Sequence, residues 1–238
     1  MKKTTIIVMT MMFALFAIQF TTAEPVNPQD LDVGPSETRD LSGLPTQSAD
    51  AQGGNVTQLN IHTIAVTRSW QGYYGNITGD IVLDDASGNT FYNWTLTTPS
   101  GEVYASRTST VDFSTIACAS SAQRGDEETY LDQTPADGDS VTNTYNFTAH
   151  PEINIGAVTL TQDTCFSTNA FSDGTQDASR FYQLLLADGT SNIVYTTIID
   201  PDQIGFDGSS YDFQLLVGEN EKPGNEGPTE YFFFVQIV

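Results

Sequence analysis

From Trp70 to its last residues the chain is written in short alternating runs, and that period of two is what most limits its fold. Asn76 to Leu83 (NITGDIVL) sets Ile77, Gly79, Ile81 and Leu83 on one face. A turn cluster, Asp84 to Asn89 (DDASGN), comes next, and Thr90 to Leu96 (TFYNWTL) resumes the alternation. The two runs predict a β-hairpin. Thr97 to Gly101 turns the chain into a run from Glu102 to Arg107. Phe181 to Leu186 and Ile193 to Ile199 predict a second hairpin around Ala187 to Ser191. Apolar alternation returns at Tyr145 and Phe147, from Ile153 to Leu160, from Tyr211 to Val217 and from Tyr231 to Val238. Val56 to Arg68 reads as a further strand, whose alternation slips near His62 and Thr63 as it would at a bulge. No window sustains a helical period. Ala119 to Ser140, with six acidic residues and little apolar content, reads as a long acidic loop. Short strands cut by frequent turns predict an all-β, antiparallel β-sandwich of Ig-like kind. Trp70, Tyr92, Trp94, Phe181 and Phe232 to Phe234 are its expected core.

The N-terminal part has another texture. Lys2 and Lys3 precede an apolar stretch from Ile6 to Phe20, and Thr21-Thr22-Ala23 places small residues at the −3 and −1 positions of a cleavage site. Residues 1–23 therefore read as a signal peptide, and the working protein is expected outside the cytoplasm, extracellular or on the cell surface. The competing reading is an uncleaved anchor, since the uncharged stretch is long enough on paper to span a bilayer. No later segment has that length of apolar residues, so no membrane span is expected after cleavage. Residues 24–54 hold four of the ten prolines among Gly, Ser, Asp and Gln, and read as a disordered acidic linker. Residues 55–238 are then one domain.

The chain carries 30 acidic residues against 8 basic ones. Loss of the leader takes two lysines with it and moves the formal charge from −22 to −24. Such a balance repels nucleic acid and anionic membrane surfaces, and neither is an expected partner. Asp outnumbers Glu by 20 to 10, which suits a surface bathed in brine, where salt screens self-repulsion. An ordinary acidic secreted protein fits the same numbers. Cys118 and Cys165 are the only cysteines. Outside the cytoplasm, with no CxxC spacing, they are expected to form a structural disulfide that contributes about 4 kcal/mol by closing its loop.

Four ordered segments carry a resemblance. They are Trp70 to Leu83 (WQGYYGNITGDIVL), Leu184 to Ile199 (LLLADGTSNIVYTTII), Gly205 to Leu216 (GFDGSSYDFQLL) and the aromatic end Tyr231 to Phe234. As a set they resemble a group of uncharacterised secreted archaeal β-domain proteins, which share a WQGYYGN-type opening and an aromatic C-terminal strand of the YYFYV kind. The resemblance implies an archaeal extracellular β-domain. It assigns no functional residue.

Nucleophilic catalysis needs a base beside a Ser, Thr or Cys. His62 and His150 are the only histidines, neither lies near a GxSxG elbow, and structural or surface roles are expected for both. No catalytic residue is assigned. Paired carboxylates hydrolyse glycosides when held at the right separation, but 30 acids make some pair inevitable. Asp200, Asp202 and Asp207 flank Gly205 in a spacing that approaches an oxygen-ligand loop for calcium. Ile204 occupies the fifth position and no Glu the twelfth, so solvated turn acids are the plainer reading. N-glycosylation sequons stand at Asn55, Asn76, Asn93 and Asn146, close to the number chance gives in so Ser/Thr-rich a chain. Trp70, Tyr73 and Tyr74, beside Gly72 and Gly75, are candidate binding aromatics, with core packing as the competing use.

The expected function is a non-enzymatic extracellular or cell-surface module, structural or adhesive, with other envelope or extracellular proteins or glycans as partners. A carbohydrate-active enzyme or sugar-binding module is the alternative. Two facing carboxylates in a pocket, or a row of exposed aromatics, would favour that alternative.

Overall fold

A computed structural model describes residues 23–220 and 227–237. Of the expected signal peptide, residues 1–22 lie outside the described residues. The strands run in chain order as β1 (Trp70–Gly75), β2 (Gly79–Asp84), β3 (Thr90–Leu96), β4 (Gly101–Ser106) and β5 (Ala117–Cys118). Then come β6 (Ile153–Ile155), β7 (Val158–Leu160), β8 (Ser167–Thr168), β9 (Ala170–Ser172) and β10 (Thr175–Asp177). The last are β11 (Gln183–Ala187), β12 (Ile193–Ile198), β13 (Gln203–Ile204), β14 (Ser210–Tyr211), β15 (Phe213–Gly218) and β16 (Phe232–Ile237). Every pairing among them is antiparallel. The all-β fold expected from the alternation is present, with both predicted hairpins in place as β2–β3 and β11–β12.

The central sheet has the order β16-β4-β12-β11-β5, and β8 also pairs with β11. Its middle strands are buried on both faces, which is why β11 reads Leu-Leu-Leu-Ala instead of alternating with polar residues. Leu185, Ala105, Val103 and Tyr195 point into one core layer with Leu215 and Val217 of β15. Leu184, Leu186, Tyr104 and Val194 point into the other, against Ile153, Ile155 and Leu160 of the β6–β7 hairpin. The β1–β15 ribbon thus covers one face of the sheet and β6–β7 the other.

Gly101 opens β4 at φ +127°, and a Cβ there would stand 2.0 Å from the Gln236 carbonyl oxygen of β16. Only glycine lets the two backbones approach so closely. On the outer edge of β16, Val26 exchanges both backbone hydrogen bonds with Val235, at 3.0 and 2.8 Å. The segment read as a linker is therefore anchored at its start, and beyond Pro28 it is exposed almost throughout.

Two expectations are corrected. Val56 to Arg68 forms no strand; it is irregular and exposed, and regular structure starts at Trp70. Within the supposed acidic loop Ala119–Ser140, Ser121–Tyr130 is a helix, α1, followed by a short second one, α2 (Val141–Thr144). A capping box starts α1: Ser120 Oγ accepts from Gln123 N at 3.2 Å, and Ser120 N donates to Gln123 Oε1 at 2.8 Å. The face α1 buries carries Glu127 and Glu128, so no apolar period marks it in the sequence.

Candidate functional site

The β2–β3 ribbon stands apart from the sheet. Among the described residues its strands hydrogen-bond only to each other. Its base is clamped where Ile77 N donates to Asp212 Oδ2 at 2.7 Å, while Asp212 Oδ1 accepts from Asp202 N at 3.0 Å. Its tip is built around Asp85. Asp85 Oδ1 accepts from Ser87 N and Asn89 N, both at 2.9 Å, and Oδ2 accepts from Asn89 Nδ2 at 2.8 Å. The Asn89 side chain first, and then these backbone donors, hold the Asp85 carboxyl below the usual carboxylate range.

Register decides what the ribbon shows. Ile81 lies opposite Trp94 and Leu83 opposite Tyr92, so all four project from one face. They are between 49 and 57 % exposed, and the Tyr92 and Trp94 rings lie 4.7 Å apart. Asp80, Val82, Asn93 and Thr95 alternate onto the reverse face. Phe91, at the register shift next to the tip, is 84 % exposed. The pattern is that of a strand pair laid on a core, with the apolar side turned to water. Tyr92 and Trp94, expected in the core, are on this face instead.

A second exposed group is aromatic. Tyr74 of β1 meets Phe206 at 4.9 Å and Tyr211 at 4.8 Å, and Phe206 and Tyr211 lie nearly parallel. Asp207 Oδ2 accepts from the Tyr211 hydroxyl at 3.0 Å at its edge. Of the three candidate binding aromatics only Tyr74 belongs to this group. Trp70 packs on Tyr145 and Tyr195, and its Nε1 donates to the Asp139 carbonyl at 2.6 Å. Tyr73 packs edge-on against Phe233. The β alternation separates Tyr73 from Tyr74, and Phe206 of a loop and Tyr211 of β14, both far along the chain, complete the group, so no local pattern marks them.

Cys118 and Cys165 are disulfide-bonded, with Cα atoms 4.7 Å apart. His62 is exposed in the irregular segment. His150 is buried; its Nε2 accepts from Thr164 N and Cys165 N at 3.0 and 2.9 Å, so the proton sits on Nδ1, 2.7 Å from the Pro151 carbonyl. Asp200, Asp202 and Asp207 do not converge. Asp207 caps its own turn, accepting from Ser209 N at 2.9 Å, and burial raises the Asp200 carboxyl. Among the described residues no three His, Cys, Asp or Glu side chains gather to hold a metal ion. Asn55, Asn76, Asn93 and Asn146 are all exposed. A small cleft of about 210 Å³ lies over Arg107, Glu127 and Tyr130, but Arg107 and Glu127 bind each other there. No helix among the described residues is long and apolar enough to cross a membrane.

Comparison with protein-family models, with curated proteins and with solved structures found no match.

Proposed function

We propose that this chain is a non-enzymatic extracellular or cell-surface module, structural or adhesive, whose contact surface is the apolar face of the β2–β3 ribbon. The observation that carries the reading is that face: four large apolar side chains turned to water on a ribbon with an ordered tip. Exposed contiguous apolar patches of this kind mark interaction sites. Export fits the leader-like start of the sequence, and a disulfide persists outside the cytoplasm. Catalysis is not part of the reading, because His150 has both ring nitrogens committed to backbone groups and His62 stands in irregular chain. The test is retention of the purified protein on envelope fragments of the producing cells. The Leu83→Thr, Trp94→Ser double variant is expected to lose at least about tenfold in retention. Equal retention of variant and wild type would overturn the reading.

The Tyr74–Phe206–Tyr211 group supports the alternative, a sugar-binding module, since ring faces beside carboxylates and amides are what pyranose rings stack on. Titration calorimetry with oligosaccharides from the same envelope tests it. Binding that Tyr74→Ala and Phe206→Ala abolish would establish this reading, and no heat of binding would remove it.

A further inference from the structure

The apolar face of the β2–β3 ribbon lacks a covering layer. A lone two-stranded hairpin is marginally stable in water, and an amphipathic strand pair gains stability when its apolar face is covered. We propose that the cover is the same face of a second copy, so that the protein forms a two-fold symmetric dimer through stacked β2–β3 ribbons. This rests on the reading that the ribbon is the contact surface.

Area, charge and one-sidedness together point to a second copy. Two rings and two aliphatic side chains, each about half exposed, leave about 400 Å² of apolar surface per copy. A symmetric pair would hide about 800 Å², the scale of a weak, reversible association. The face itself carries no ionisable group other than the Tyr92 hydroxyl. Asp80 and Asp84 alternate to the reverse, and Asp85 is turned into the tip. A cationic partner therefore meets no carboxylate on this face, and an anionic lipid surface is repelled by a chain of net charge −22. A second copy presents the same uncharged surface, with an aromatic row and an aliphatic row that pack well on one another. The reverse face sets Asp80, Asn93 and Thr95 around Val82, so its carboxylate and the Asn93 sequon oppose a further layer and a glycan there would not obstruct the dimer.

The charge makes the dimer's salt response distinctive. Two strongly acidic chains repel, salt screens that repulsion, and the apolar contact remains. Association is expected to tighten as salt rises, opposite to a dimer held by ion pairs.

Sedimentation velocity of the protein isolated from the producing cells, over a range of concentration and at low and high salt, tests the proposal. The expected result is a reversible monomer–dimer equilibrium whose Kd falls with added salt. The Ile81→Thr, Leu83→Thr variant, which places β-branched threonine at both strand positions, is expected to raise Kd at least about tenfold. Val82→Thr on the reverse face is expected to leave it unchanged. Over the same concentrations Trp94 emission should shift to the blue in wild type and in Val82→Thr but not in the Ile81→Thr, Leu83→Thr variant, which checks the contact independently of any loss of fold. A monomer at every salt concentration, a dimer that loosens with salt, or a dimer indifferent to Ile81→Thr, Leu83→Thr would each overturn the proposal. A monomer whose ribbon variants still lose envelope binding removes the second copy and keeps the adhesive reading. A ribbon dimer whose variants bind envelope as wild type does removes the adhesive reading and keeps the dimer.

Discussion

Glu127 takes both terminal guanidinium nitrogens of Arg107 at 2.5 Å, one on each carboxylate oxygen, at a site where Glu127 itself is 2 % exposed. The Tyr195 hydroxyl donates to Glu127 Oε1 as well, at 2.6 Å, and the guanidinium lies 3.8 Å over the Tyr130 ring. One carboxylate thus ties α1 to the end of β4 and to β12. Burial alone would lower the Arg107 pKa, but hydrogen bonding and charge from Glu127 outweigh it and raise it.

Breaking that pair from one side should be costly. Glu127→Ala strands a half-buried guanidinium and is expected to destabilise the fold by about 3–5 kcal/mol in urea unfolding. The Arg107→Met, Glu127→Leu double variant should lose much less than the two single variants added together. Additive losses would mean that the two side chains act independently.

Glu102 contributes a pH dependence of opposite sign to the usual carboxylate. It is 6 % exposed in β4, and burial pushes its carboxyl up to about 7, although a hydrogen bond from the Tyr104 hydroxyl at 3.2 Å works the other way. Between the unfolded glutamate pKa and about 7 the folded state binds the extra proton, so stability falls as pH rises through that window. Glu102→Gln should leave stability at pH ~4 unchanged and raise it by about 1–3 kcal/mol at pH ~8. Thermal melts at the two pH values decide it, and a variant less stable than wild type at the higher pH would refute it.

His150 holds a backbone bend in place through one ring nitrogen. Its Nε2 accepts from two amides, Thr164 and Cys165. His150→Ala orphans both and is expected to cost about 2–4 kcal/mol. Native-state hydrogen exchange should show those two amides opening first; unchanged protection at both would contradict the assignment.

The Cys118–Cys165 bridge joins β5 to the chain that covers the second face of the sheet. Reduction is expected to lower stability by about 4 kcal/mol, from the entropy regained by a loop of 47 residues. Denaturant midpoints with and without reductant measure it.

Much of the fold was legible in the chain, and the reasons are local. Hairpins β2–β3 and β11–β12 were readable because turn residues and period-two alternation act over neighbouring residues. Helix α1 escaped notice because its buried face is Glu127 and Glu128, held by Arg107, Tyr195 and the Thr142 amide instead of by apolar packing. Its capping pair, Ser120 and Gln123, was the available signal. Val56 to Arg68 carries strand-like residues with no strand to pair with, and alternation without a partner makes no sheet.

By itself the sequence determined the antiparallel β class, the two hairpins, the partnership of the two cysteines and the strongly acidic balance. Each follows from short-range periodicity, turn chemistry or a simple count. Only the tertiary structure decided that the Ile81–Leu83–Tyr92–Trp94 face looks into water, that Trp70 and Tyr73 pack inward while Tyr74 joins Phe206 and Tyr211, and that Glu127 meets Arg107. Alternation tells which side chains share a face. Which way that face turns depends on the layers stacked around it, and those layers come from residues far apart in the chain.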